Sequence, residues 1–223
     1  MTKALNADRT LSVVSTVATL IALAVIVEGR MTRSSAGVAR PEIKKVASWT
    51  EKSSPARAPL HAAVRPVQVD VFTDFQCPFC RLMDSTLNRL EATFPGKLSR
   101  AIVHFPLASH AHARGAASAF ECASRQGRAT SMHSTLYREH QRFGVLSWEA
   151  LAATAEVADL QLFTACMTAD EGRVRIEAGE RLARLLALQG TPSVVVNGFL
   201  ITPSLPASVE RAIGLAVLGK SPK

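Results

Sequence analysis

The chain has 223 residues, 48% of them apolar and 5% aromatic, with a formal net charge of +8. That length and apolar content suit one domain with a full core plus appendages, and no internal repeat is present to build a solenoid. The basic excess does not mark a nucleic-acid binder: residues 1–66 hold 10 Lys/Arg against 4 Asp/Glu, whereas residues 67–223 hold 16 against 14, leaving no basic face rich in stacking side chains.

In chain order, residues 1–9 form a polar tail. The 18 residues from Thr10 to Val27 (TLSVVSTVATLIALAVIV) carry no charge. As a helix they would run about 27 Å, enough to span a bilayer. Residues 10–27 are therefore expected to be a transmembrane anchor. A cleaved signal sequence is the alternative, disfavoured because no small-x-small site follows the span directly and Gly37-Val38-Ala39 lies far past Val27. Lys3 and Arg9 precede the span and Arg30, Arg33 and Arg40 follow it, so the positive-inside bias does not place the rest of the chain outside. Residues 28–65 are rich in Ser, Ala, Pro and basic residues without an apolar period, and read as a basic flexible linker.

The folded domain is expected over 66–220. Val67, Val69 and Val71 alternate with Gln68 and Asp70, a strand pattern. A helix pattern runs from Cys77 through Leu82, Leu87 and Leu90 to Pro95-Gly96, and residues 99–105 read as a second strand. From about 108 to 188 the chain looks helical, with segments expected at 109–126, 129–142, 147–158 and 173–189. Val194–Val196 and Phe199–Ile201 flank Asn197-Gly198, a hairpin signal because both turn residues tolerate positive φ. A final amphipathic helix fits 206–218. The order β-α-β, helical block, β-β-α defines an α/β chain.

The chemistry centres on Cys77-Pro78-Phe79-Cys80, which follows a strand and opens a helix. The unpaired N–H groups and positive dipole end of a helix start stabilise a thiolate, the nucleophile of disulfide exchange. Cys80 lies one helical turn on, in reach of a mixed disulfide at Cys77. Pro78 stands where its missing N–H costs nothing. A zinc half-site or two buried thiols are the bland alternatives; the strand-to-helix context favours redox chemistry. Thr191-Pro192 precedes the Val194–Val196 strand, and an X-Pro bond is the realistic place for a cis peptide, although an ordinary loop proline reads the same way. None of the six histidines forms a helical i, i+4 pair with an adjacent acid, so no metal is expected.

FTDFQCPFC (72–80), GTPSVVVNG (190–198) and the helical block between them resemble the DsbA-like branch of the thioredoxin superfamily. The resemblance covers about 67–219. It implies a thioredoxin fold with a helical insertion, a cis Pro192 packed against the CxxC, and Thr191 offering backbone contacts to a substrate peptide. His104-Phe105-Pro106-Leu107 and Glu121-Cys122-Ala123 also look like family landmarks of structural role. It further implies that Cys122 and Cys166 form a second, non-catalytic disulfide, the alternative being two unconnected buried thiols.

Two departures stand out. The strongest oxidases of the family carry His before the second cysteine, where this chain has Phe79, so Pro78-Phe79 is expected to tune the centre less far. The family's buried acid, six residues before the nucleophile, is replaced by Val71. Asp74 is the nearest acid, read either as a proton relay to Cys80 or as a solvated loop carboxylate.

The implied activity is thiol–disulfide exchange on cysteines of exported proteins, most naturally disulfide formation. No cofactor is needed, because the Cys77–Cys80 disulfide itself carries two electrons. The expected partners are cysteine-containing exported proteins, a membrane redox partner, and the membrane itself through residues 10–27, but no nucleic acid. The expected location is the inner membrane, single-pass, with the domain on the periplasmic or extracellular side. A reductase or isomerase of the same fold is one rival. A non-catalytic peptide-binding or chaperone module with a structural CxxC is another.

Overall fold

The computed structural model describes residues 41–60 and 64–222. The apolar segment 10–27 lies outside them; among the described residues no helix is long and apolar enough to cross a membrane.

The elements are β1 (Glu42–Lys45), α1 (Trp49–Ser53), β2 (Arg57–Pro59), β3 (Val67–Thr73), α2 (Pro78–Thr93), β4 (Leu98–His104), α3 (Ala113–Ser124), α4 (Ala129–Glu139), α5 (Trp148–Thr154), α6 (Leu160–Thr168), α7 (Arg173–Leu185), β5 (Ser193–Val196), β6 (Phe199–Thr202) and α8 (Pro206–Val217). They form a thioredoxin-like α/β fold around one sheet of order β1-β6-β5-β3-β4-β2. Strands β3 and β4 are parallel, joined by α2; the other pairs are antiparallel. The β5–β6 hairpin turns on Asn197 and Gly198, both at positive φ.

Alternation along β3 sets the layers, since successive side chains leave a strand on opposite faces. Val67, Val69 and Val71 pack with α2 and α8 residues such as Met83, Leu87 and Ile213. Phe72 packs on the other face with Trp49, Ala178 and Leu182. Helices α3 to α6 enclose a further core around Phe120, Leu136, Leu151 and Phe163. Helix α6 was not among the expected segments: Leu160 and Leu162 are exposed and only Phe163 and Cys166 are buried, so no clear stripe marks it.

The expected linker over 28–65 is corrected from residue 42 onward. Strand β1 pairs with β6 and β2 pairs with β4, so both outer edges of the sheet come from this segment. Its composition concealed it, because edge strands keep one side polar and charged. Its anchor is Asp70 on β3, fully buried, which takes a hydrogen bond from Trp49 Nε1 at 2.5 Å and one from Arg57 Nε at 2.6 Å. Burial raises the Asp70 pKa, and Arg57 and Trp49 act against it.

Candidate active site

The loop after β3 delivers Cys77 to the N-cap position of α2, with Pro78 at the first helical turn. The carbonyl of Cys77 accepts from the N–H of Cys80 at 3.1 Å and of Arg81 at 3.3 Å, which fixes Cys80 one turn into the helix. Both thiols are free, and both residues are buried. Phe79 between them is 68% exposed, and Leu82, one turn on, is 54% exposed, so the rim of the site is apolar.

The Thr191–Pro192 peptide bond, in the loop before β5, is cis. The Cys77 thiol reaches the Thr191 carbonyl at 3.6 Å. The Cys77 pKa is pulled down to about 5. The largest cause is a hydrogen bond from the Cys80 thiol. Burial opposes it, and the N–H groups of Cys80 and Phe79 and a contact at Thr191 assist it. The Cys80 thiol is pushed up instead, first by burial and then by Cys77. The two sulfurs are thus unequal, one poised as thiolate and the other held as thiol.

Asp74 is buried rather than solvated, and its side-chain hydrogen bonds go to residues other than Cys80. Its Oδ2 accepts from Leu107 N at 3.0 Å and His110 Nδ1 at 2.7 Å, and its Oδ1 accepts from Gln76 N at 2.8 Å. Oδ2 thus ties the cysteine loop to residues 107–110, and Oδ1 holds the loop's own backbone at Gln76. A second carboxylate, Asp84, lies one turn beyond Cys80 along α2. Asp84, Arg100, His133 and Tyr137 line a cavity together with Cys80 and Val71. None of those four was singled out in the sequence; they converge from α2, β4 and α4, and no local motif links them.

Phe75 forms the floor, with ring centroids 5.0 Å from Tyr137, 5.6 Å from Phe120 and 5.8 Å from His133. On its far side His104 Nε2 meets Glu121 Oε1 at 2.8 Å, and Arg175 Nη1 donates to Glu121 Oε2 at 2.5 Å. Burial raises the Glu121 pKa, but His104 and Arg175 together pull it below the usual carboxylate range. Helix α7 can approach this network only through Gly179, where a Cβ would lie 2.2 Å from the His104 carbonyl oxygen. Cys122 on α3 and Cys166 on α6 form a disulfide. Among the described residues no group of three or more His, Cys, Asp or Glu is placed to hold a metal ion.

A family model described as Thioredoxin matches residues 62–214. The chain is 35% identical over 136 residues to Na(+)/H(+) antiporter NhaA 1 of Salinispora arenicola, covering 60% of this chain and 20% of that protein. It therefore spans about a fifth of that relative's length. It is 28% identical over 160 residues to the probable disulfide bond formation protein D of Bacillus cereus, covering 66% of this chain and 73% of that one. The solved structure of oxidised BdbD from Bacillus subtilis superposes with a TM-score of 0.63 at 16% identity, over 81% of this chain and 100% of that chain, a likeness of fold.

Proposed function

Because the chain belongs to the thioredoxin family, we propose that it is a protein disulfide oxidoreductase that introduces disulfides into exported proteins. The observation that carries this reading is the unequal cysteine pair at the start of α2 beside the cis-proline loop. A substrate thiolate attacks Cys77 of the Cys77–Cys80 disulfide; the old S–S bond breaks, and Cys80 leaves with the electron pair and takes a proton. A second substrate thiolate then attacks the substrate sulfur of the mixed disulfide, and Cys77 leaves as a thiolate. The low Cys77 pKa makes that second departure easy and stabilises the reduced enzyme, which favours oxidation of the client.

Thr191 and Pro192 shape the peptide site, with the Thr191 backbone beside the reacting sulfur. Phe79 and Leu82 offer apolar contact to an unfolded client. The Cys122–Cys166 disulfide is a structural staple outside the redox cycle. Residues 10–27 act as the anchor, holding the domain on the periplasmic or extracellular face near a membrane redox partner that reoxidises the pair. Such a tether raises the effective concentration of that partner. The disulfide is the only electron carrier this chemistry requires.

The test is a titration of Cys77–Cys80 against glutathione, with peptide mapping of the oxidised and reduced forms. A potential closer to about −120 mV than to about −270 mV is expected for an oxidase. A value at the reducing end assigns the chain to the reductases. A Cys77 no more reactive than a model thiol, with zinc retained on purification, assigns it to the binding modules.

A further inference from the structure

The proposed reaction leaves unexplained how Cys80 moves a proton. Cys80 must lose one each time it attacks a mixed disulfide at Cys77 and regain one each time it leaves, yet it is 1% exposed. Strand β3 supplies no acid on that side, because Val71 faces the cysteine while Asp70 is bound to Trp49 and Arg57. Two features fill the gap. Thr73 acts on the Cys80 thiol, pulling its pKa down against burial, and its hydroxyl lies 2.5 Å from the Tyr137 hydroxyl. Tyr137, Cys80, Asp84 and His133 in turn border a cavity of about 10 Å³, roughly the room of one water. Asp84 Oδ1 there meets Arg100 Nη2 at 2.9 Å and His133 Nε2 at 3.3 Å.

We propose that Cys80 exchanges its proton with the Asp84–His133 pair through the Thr73 and Tyr137 hydroxyls and one water in this cavity. The proposal rests on the redox reading of Cys77 and Cys80. When Cys80 attacks the mixed disulfide, the Cys80–Cys77 bond forms, the Cys77–substrate bond breaks, and the electron pair leaves on the substrate sulfur. The Cys80 proton passes to Thr73, the Thr73 proton to Tyr137, and the Tyr137 proton through the water to the carboxylate of Asp84. Client oxidation runs the same path backward. The charged and titratable groups around Cys80 are Cys77 and Asp84 from α2, with Glu91 behind Asp84, Arg100 from β4, and His133 and Tyr137 from α4. Burial raises the Asp84 pKa against the pull of Arg100, which suits a group that must both take and return a proton.

The experiment is stopped-flow reaction of the reduced protein with 5,5′-dithiobis(2-nitrobenzoate) across pH. The first thionitrobenzoate released reports attack by Cys77, and the second reports resolution by Cys80. Tyr137→Phe and Thr73→Val should leave the first phase unchanged and slow the second about tenfold or more. Thr73→Ser should restore it, and Asp84→Asn should shift its pH dependence. A second phase with the wild-type rate and pH profile in Thr73→Val, Tyr137→Phe and Asp84→Asn overturns the relay. So does equal slowing at every pH with Thr73→Ser as slow as Thr73→Val, which would be a packing effect. If Tyr137→Phe fails to fold by circular dichroism, the Thr73 pair decides alone. Absence of a first phase in the wild type would instead refute the redox reading.

Discussion

Two clusters of the same kind flank Phe75, the first half-open at Arg175 and the second buried. His104, Glu121 and Arg175 form one, and His133, Asp84 and Arg100 form the other. Each pairs a histidine and an arginine with a carboxylate. The first joins β4, α3 and α7, reaches the surface at Arg175, and touches no cysteine thiol in its hydrogen bonds. The second opens onto a cavity bordered by Cys80. The lesson is that residue type does not assign a role: a buried ion pair becomes chemical equipment when a reacting atom and room for a water stand beside it, and is otherwise a clamp between elements.

The contrast is exposed most severely at the sulfur itself. Cys77→Ala should abolish disulfide transfer to a reduced peptide while the melting profile of the domain persists, which activity and calorimetry together check. Glu121→Ala should come next, costing about 1–3 kcal/mol by leaving the buried His104 without its partner, while the half-exposed Arg175 turns to solvent. Urea unfolding measures that loss, and the Cys77 and Cys80 phases of the folded variant should keep their wild-type rates. A changed Cys80 phase would erase the distinction between the clusters.

Cys122→Ala with Cys166→Ala should cost about 2–4 kcal/mol, again with Cys77 reactivity intact by alkylation. The subtlest effect is on pH. The folded Cys77 pKa is depressed to about 5 from an ordinary value of 9.0. The unfolded chain therefore binds the extra proton between those values, and the stability of the reduced protein rises with pH across that window. The contribution is fully present above the unfolded value and is lost as pH falls through about 5. Subtracting the profile of Cys77→Ser isolates it, and a flat difference would mean that Cys77 is not held as a thiolate.

Much of this was legible in one dimension. The strand at Val67–Thr73, the helix opening on Pro78, the hairpin at Asn197-Gly198 and the helical block follow from apolar period, turn chemistry and helix-start signals, all of which act over a few residues. The approach of the cis Thr191-Pro192 loop to Cys77 was legible only through family resemblance, since Cys77 and Thr191 lie 114 residues apart in the chain. The segment Glu42–Pro59 was misread because its strands lie at sheet edges and bury few apolar side chains.

Local sequence thus settled that a CxxC sits at a strand-to-helix junction, because such a junction is made by neighbours in the chain. Packing settled what surrounds the second cysteine. Asp70 and Val71 are adjacent in sequence, yet the pleat of β3 sends one to Trp49 and Arg57 and the other to Cys80. Asp84 reaches the same cavity from α2, and Arg100 and His133 arrive from β4 and α4. Strand order and helix docking, which join residues far apart in the chain, are what bring them to one cavity.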